Sequence, residues 1–284
     1  MRQINVGIIG GGWAGLAAGI KLAQSGVRAS VYEASHTLGG RARKLTVNNT
    51  NLDNGIHLLS GAYSATLSTL DQIRTPADRT SLDRQPFNFL YGPLKITKPP
   101  IPLPLETLFG FLFARGISLS DKIAALRFLR RIQTRQVNTK SSDTVHCLLT
   151  RYRQSEILIE LLWNPICLSA LNIDCTRGSA SVFMNVIADA LLGSGKSSDL
   201  IFPTNDLTSL FASLAERYIK KHKGNIHLGK RALITRVKKN GFSLSISDEQ
   251  FTHLVIATAP HNVRNTFKDP SKLGATLSII DRFS

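Results

Sequence analysis

The opening segment of this 284-residue chain restricts its fold more than any other. Ile4 to Ile9 is apolar and rich in β-branched residues, and it runs directly into Gly10-Gly11-Gly12-Trp13-Ala14-Gly15. An apolar run of that length ending in glycines reads as a buried parallel strand entering a tight turn. From Trp13 to Gln24, Leu16, Ala17, Ile20 and Ala23 recur at helical spacing, and Gly26 stands where a C-terminal cap belongs. Arg28 to Glu33 reads as a second strand. Strand, helix and strand in so short a span make one right-handed crossover, so the expected core is a parallel sheet.

The glycines satisfy G-x-G-x-x-G between a strand and a helix, which is the context that gives the pattern its meaning. Gly10 makes the turn, Gly12 lets backbone approach a diphosphate, and Gly15 allows the helix to pack on the strand. The helix N-terminus, with Ala14 in its first turn, offers N–H groups and the positive dipole end to phosphate oxygens. Glu33 ends the second strand, where a carboxylate accepts ribose hydroxyls. This pattern also overrides a signal-peptide reading of Arg2 followed by an apolar stretch.

The middle of the chain changes character. Residues 86–104 carry Pro86, Pro99, Pro100, Pro102 and Pro104 around a strand-like run from Phe87 to Tyr91. Helical patterns follow at about 105–114, 119–135, 144–162 and 179–192, the second capped by Ser118 or Ser120. After a helix near 206–221, strands are expected at Ile226–Leu228, Ala232–Val237, Phe242–Ser247 and His253–Ala257, with Asn240-Gly241 as a hairpin turn. The expected organisation is α/β: a nucleotide-binding domain over 1–85 and 206–284, and a largely helical inserted domain over 86–205.

Nicotinamide and flavin dinucleotides share the first fingerprint, and Leu38-Gly39-Gly40-Arg41-Ala42-Arg43 separates them. Paired glycines and a guanidinium just beyond the ribose carboxylate suit the diphosphate or ring end of an extended FAD. With this G-G-R the N-terminal unit resembles the flavin amine oxidase and phytoene desaturase superfamily. The segment Leu52-Asp53-Asn54-Gly55-Ile56-His57-Leu58-Leu59-Ser60-Gly61-Ala62-Tyr63 is similar to one that marks its squalene-associated branch, hydroxysqualene dehydroxylase, where Gln usually stands at Ile56. Further likenesses lie at Pro104 to Leu119, Leu162-Trp163-Asn164-Pro165 to Asn172, Asp199 to Pro203 and Val255 to Pro260.

The resemblance implies a Rossmann-like FAD-binding domain with an inserted helical substrate domain. It implies FAD as cofactor, held by Gly10, Gly11, Gly12, Ala14, Gly15, Glu33, Gly39, Gly40, Arg41, Asn54 and Gly55. It implies a hydrophobic C30 isoprenoid substrate, hydroxysqualene reduced to squalene as a step towards hopanoids, with hydride from the reduced flavin and a proton for the departing oxygen from Asp53 or His57. Trp163, Phe109, Phe111, Phe113 and Leu161 are then candidates for an apolar tunnel, and equally for core. Members of the family also carry a C-terminal Gly-Asp flavin motif that does not occur before Ser284, which implies a truncated, split or frameshifted form. A phytoene or carotenoid desaturase, an amine oxidase and an inactive flavin-binding remnant are the alternatives on the same scaffold.

Thirty-five Lys and Arg against nineteen Asp and Glu leave a net charge of +16, which favours an anionic partner. No Arg/Gly repeat, RNP-like run or zinc-finger spacing accompanies it, so no nucleic acid is expected. Arg127, Arg130, Arg131 and Arg135 alternate with Ile123, Leu126, Leu129 and Ile132, the pattern of a basic amphipathic helix that can lie on anionic lipid. Peripheral contact with the cytoplasmic face of a membrane follows as an expectation, since no apolar stretch is long enough to span one. Cys147, Cys167 and Cys175 show no C-x-x-C or metal spacing, so neither a metal site nor a disulfide framework is expected.

Overall fold

The computed structural model describes residues 4–55, 58–78, 82–97, 99, 105–193, 196–238 and 241–273. It divides into two compact units, one made of Met1–His57, Thr66–Asp83 and Pro203–Ser284, the other of Leu58–Ala65 and Arg84–Phe202. His57, Ile56 and Asn240 of the expected hairpin turn lie outside the described residues.

The first unit is built on a four-stranded parallel sheet in the order Asn225–His227, Arg28–Tyr32, Asn5–Ile9, His253–Ile256. Val6 is paired with Ala29 on one side and His253 on the other, so the opening strand lies between a neighbour close in sequence and one from the far end of the chain. The helix Trp13–Gln24 buries Leu16, Ile20 and Ala23 and packs beside the helix Ser213–Lys221. Ile9 and Tyr32 join Ala232, Ile234, Leu244 and Phe251 in one core cluster.

Ile234, Leu244 and Phe251 come from a three-stranded antiparallel sheet, Ile234–Lys238, Gly241–Leu244 and Ser247–Phe251. The strand expected to run through Ser247 therefore ends at Leu244, and a further strand follows. Its Asp248 and Glu249 hide it from a reading based on apolar alternation. Glu249 is satisfied across the fold: Asn5 Nδ2 donates to it at 3.0 Å, Ser30 Oγ at 3.4 Å, and Arg28 approaches at 3.9 Å. A hairpin of Lys44–Val47 with Thr50–Asp53 was also not anticipated. Asn48 and Asn49 make its turn at φ 49° and 61°, the left-handed pair that matches the twist of a two-residue hairpin.

The second unit is helical, with Leu105–Leu112, Leu119–Gln133, Val145–Arg151, Asn164–Leu171 and Ala180–Leu191 as its main helices. Ser118 caps the second helix, accepting the Asp121 N–H at 3.1 Å, and Thr144 caps the third through Cys147 N–H at 3.2 Å. The helix expected across 144–162 is broken. Arg153 takes φ 55°, and Ser155 opens a new helix by accepting the Leu158 N–H at 3.2 Å. That helix passes through a wider π-turn at Ile159–Trp163 into Asn164–Leu171.

Trp163 is fully buried at the centre of this unit, edge-on to Phe128 and Phe183 with centroids 5.6 and 6.3 Å away. Its indole N–H donates to Gln154 Oε1 at 3.0 Å, and Gln154 Nε2 donates to the Ala124 and Tyr152 carbonyls at 3.1 Å each. Trp163 and Phe111 are therefore core, while Phe113 is exposed and stacks on Phe109 at 5.9 Å. The Leu119–Gln133 helix buries Ala125, Phe128, Leu129 and Ile132 in the same core. From Leu126 onward its apolar stripe is packed against the core, Ile123 is exposed, and Arg127, Arg130 and Arg131 face outward. No helix among the described residues is long and apolar enough to cross a membrane.

Candidate functional site

The two glycine segments meet at the C-terminal end of the parallel sheet, where ligands of open α/β sheets bind. Gly10 leaves the first strand at φ 111°, and its N–H donates to the Tyr32 carbonyl at 2.8 Å. Gly39 N–H donates to the Gly11 carbonyl at 2.9 Å, so the G-G-R backbone pairs with the first turn. Gly40 sits at φ 63°, and a Cβ there would stand 3.1 Å from Gly12 Cα. Only a residue without a side chain keeps the two backbones at this approach. On Gly12 itself a Cβ would meet nothing nearer than Gly40 Cα at 3.8 Å, because that side opens into a cleft.

The cleft has a volume of about 940 Å³, towards the upper end of the roughly 300–1,000 Å³ of small-molecule sites. Gly10, Gly12, Ala14, Glu33, Gly39, Gly40 and Arg41 all line it. Gly11 and Gly15 hold the turn from behind: a Cβ on Gly11 would strike the Leu38 side chain at 2.6 Å, and one on Gly15 would collide with the Gly10 carbonyl. Both Glu33 oxygens are oriented by backbone, Oε2 accepting the Gly11 N–H at 2.6 Å and Oε1 the Ser35 N–H at 2.7 Å. Asn54 lies outside the lining and braces it, its Nδ2 donating to the Arg41 carbonyl at 3.0 Å. Gly55 follows at φ 91° and is exposed. Asp53 is exposed, and its Oδ1 accepts the Leu207 N–H at 2.9 Å, just ahead of the turn Thr208–Ala212.

Several lining residues carried no role in the sequence reading. Trp13 fixes the glycine loop, with its indole N–H on the Ala42 carbonyl at 3.1 Å and its ring stacked on Phe211 at 4.5 Å. Lys230 and Arg231 add cations to Arg41, and His261, Asn262 and Asn265 close the side formed after the last parallel strand. Thr258 also lines the cleft, and its buried Oγ1 has no hydrogen-bond partner among the described residues. The Val255 to Pro260 likeness pointed to this stretch, but a single Thr carries no spacing signal of its own. Tyr32 lies beneath, and burial pushes its phenol above the ordinary tyrosine range.

These residues fit a flavin dinucleotide. The helix at Gly12 begins with no side-chain cap and no acidic residue in its first turn, so its N–H groups and dipole are directed at the opening. Arg41, Lys230 and Arg231 give the lining positive charge to meet an anionic ligand, and Glu33 gives it a carboxylate that can accept ribose hydroxyls.

A model of the family of flavin containing amine oxidoreductases matches residues 13–279. Among curated proteins the chain is similar to hydroxysqualene dehydroxylase of Rhodopseudomonas palustris, at 29% identity over 232 residues, which cover 79% of this chain and 52% of that protein. Hydroxysqualene dehydroxylase of Sinorhizobium fredii is 26% identical over 227 residues, with the same two coverages. The chain spans about half the length of these curated relatives. In fold it is similar to an oxidoreductase from Methanosarcina mazei, with a TM-score of 0.71 at 15% identity over 98% of this chain and 65% of that one. A putrescine oxidase gives a TM-score of 0.62 at 15% identity over 93% of this chain and 60% of that one. With its parallel sheet, paired glycine turns and matched family model, the chain belongs to the flavin containing amine oxidoreductase family, and its cofactor is FAD.

Proposed function

We propose that the protein is an FAD-dependent oxidoreductase that reduces hydroxysqualene to squalene. The observation that carries this reading is the likeness to two hydroxysqualene dehydroxylases over 79% of the chain, well beyond the nucleotide fingerprint. Bound FAD supplies the two electrons that replace a C–O bond by a C–H bond. The chain's own residues hold that cofactor: the Gly12 turn and its helix N-terminus take the diphosphate, Glu33 the adenosine ribose, and Arg41 the negative charge at the far end.

Asp53 and His57 are the groups this reading carries for protonating the departing oxygen, which leaves as water. A thirty-carbon polyene resides in bilayers, so the reading has the protein work at the inner face of a membrane. Under anaerobic conditions, FAD-loaded and chemically reduced protein given hydroxysqualene is expected to release squalene, followed by gas chromatography. Desaturated product from phytoene would move the activity to the desaturases, and hydrogen peroxide released from an amine would move it to the oxidases. Loss of turnover with bound FAD retained would overturn the substrate while leaving the cofactor in place.

A further inference from the structure

The three most exposed large apolar side chains among the described residues of the helical unit lie on neighbouring segments. Leu90, Phe113 and Leu119 are 74%, 70% and 64% exposed, and Leu112 and Ile123 are exposed beside Phe113 in sequence and one helical turn on from Leu119. Single exposed apolar residues are ordinary, but a cluster marks a contact surface.

Strand register shows how the cluster is assembled. Leu90 pairs with Lys95 in the hairpin of Asn88–Tyr91 with Leu94–Thr97, and Lys95 pairs in turn with Arg115 through two backbone hydrogen bonds of 3.0 Å. Directly paired residues share a face, so Leu90, Lys95 and Arg115 stand in one row. Leu94 and Ile96 project from the opposite face into the core. Phe113 precedes Arg115 by two residues. Lys122 Nζ donates to the Leu112 carbonyl at 3.0 Å, which brings the start of the Leu119–Gln133 helix, with Leu119 and Ile123 one turn apart, alongside.

We propose that this surface inserts into an anionic lipid bilayer. Bulky apolar side chains on a backbone turn, with Lys95, Arg115 and Lys122 interleaved, match acyl chains below a layer of negative headgroups. Arg127, Arg130 and Arg131 extend the positive field along the rest of the Leu119–Gln133 helix, where Ala125, Phe128, Leu129 and Ile132 are committed to the core. A second copy of the chain is the poorer partner, because it carries the same net charge of +16 and the same Lys95, Arg115 and Lys122. The proposal deepens the membrane location named above, and its test uses no substrate, so a failed squalene assay with intact lipid binding falls on the substrate reading alone.

The test is co-sedimentation of the FAD-loaded protein with phosphatidylcholine vesicles, with and without phosphatidylglycerol. Binding is expected only with the anionic lipid. Replacing Leu90→Asp with Phe113→Asp is expected to weaken it by roughly a hundredfold, and Lys95→Gln with Arg115→Gln by about thirtyfold. In a Leu90→Trp variant, indole emission is expected to shift to the blue on vesicles and to be quenched by brominated acyl chains. Undiminished binding by the Asp pair, an indole that stays solvated on bound vesicles, or equal binding to neutral lipid would each overturn the proposal. So would a dimer in solution that the Asp pair dissociates while vesicle binding persists, since the surface would then be a protein interface.

Discussion

The two units of this molecule are specified in different ways. The flavin-binding unit depends on backbone: Gly10, Gly12, Gly39 and Gly40 act by lacking side chains, and the Glu33 carboxylate is aimed by two N–H groups. The helical unit depends on side chains: Ser118, Thr144 and Ser155 cap its helices, and Trp163 is locked by two aromatic rings and one amide. Backbone geometry ties residue identity to ligand chemistry, because few ligands need that geometry. Caps and packed rings tie identity to stability, and leave the chemistry of the unit open.

Substitutions should separate the two modes. Trp163→Ala removes the central ring and leaves Gln154 Oε1 without its donor, so it is expected to destabilise the protein by about 3–5 kcal/mol in urea titration. Folded molecules of that variant should keep their full complement of FAD; flavin loss below the unfolding transition would break the separation. Gly12→Val reverses the pattern. Its φ of −72° and ψ of 175° suit a β-branched residue, and its Cβ faces the open cleft. FAD affinity is expected to fall by two orders of magnitude, on the order of 3 kcal/mol, with the melting temperature of the apoprotein unchanged. A variant that binds FAD normally would remove the Gly12 turn from the site.

Acid should divide the units more gently. Asp78 of the flavin unit accepts hydrogen bonds from the Thr75 hydroxyl and N–H and from Arg217, which hold its carboxyl down to about 2. Asp143 of the helical unit is held down to about 2 chiefly by Arg151. A depressed carboxyl stabilises the fold above its unfolded value near 4, and that contribution is lost as pH falls from about 4 to 2. Asp78→Asn is expected to flatten acid unfolding in this window, by under about 1 kcal/mol because the site is largely solvated. Flavin fluorescence should report that change, and tryptophan emission from buried Trp163 should report the matching effect of Asp143→Asn. Acid curves that coincide with the parent would assign both carboxylates to surface contacts without energetic weight.

How far the sequence is legible follows the same division. The parallel crossover, the cleft-lining glycines and Glu33 can be read directly, since each rests on a residue type that few alternatives can replace. The helix starts at Ser118 and Thr144 are legible for a similar reason. The strand Ser247–Phe251 is not, because Glu249 is satisfied by Asn5, Ser30 and Arg28, which are remote in sequence. The break at Arg153 is hidden by a left-handed residue that is not glycine. Thr258, Lys230 and Arg231 reach the cleft only through the sheet order, so nothing local distinguishes them.

The pairing of Val6 with His253 also sets an order of events as the chain is made. Arg84–Phe202 is one continuous stretch with its own core and can form as soon as it emerges. The opening strand must wait for its second neighbour, which at about 5–20 residues per second arrives some tens of seconds later. Until then one edge of that strand, and the glycine turn beyond it, are without the segment that closes the cleft, and closing so long a loop is entropically slow. Cofactor capture is thus a late step in the life of a new molecule, and the interval before it is when the nascent sheet edge is most open to the wrong partner.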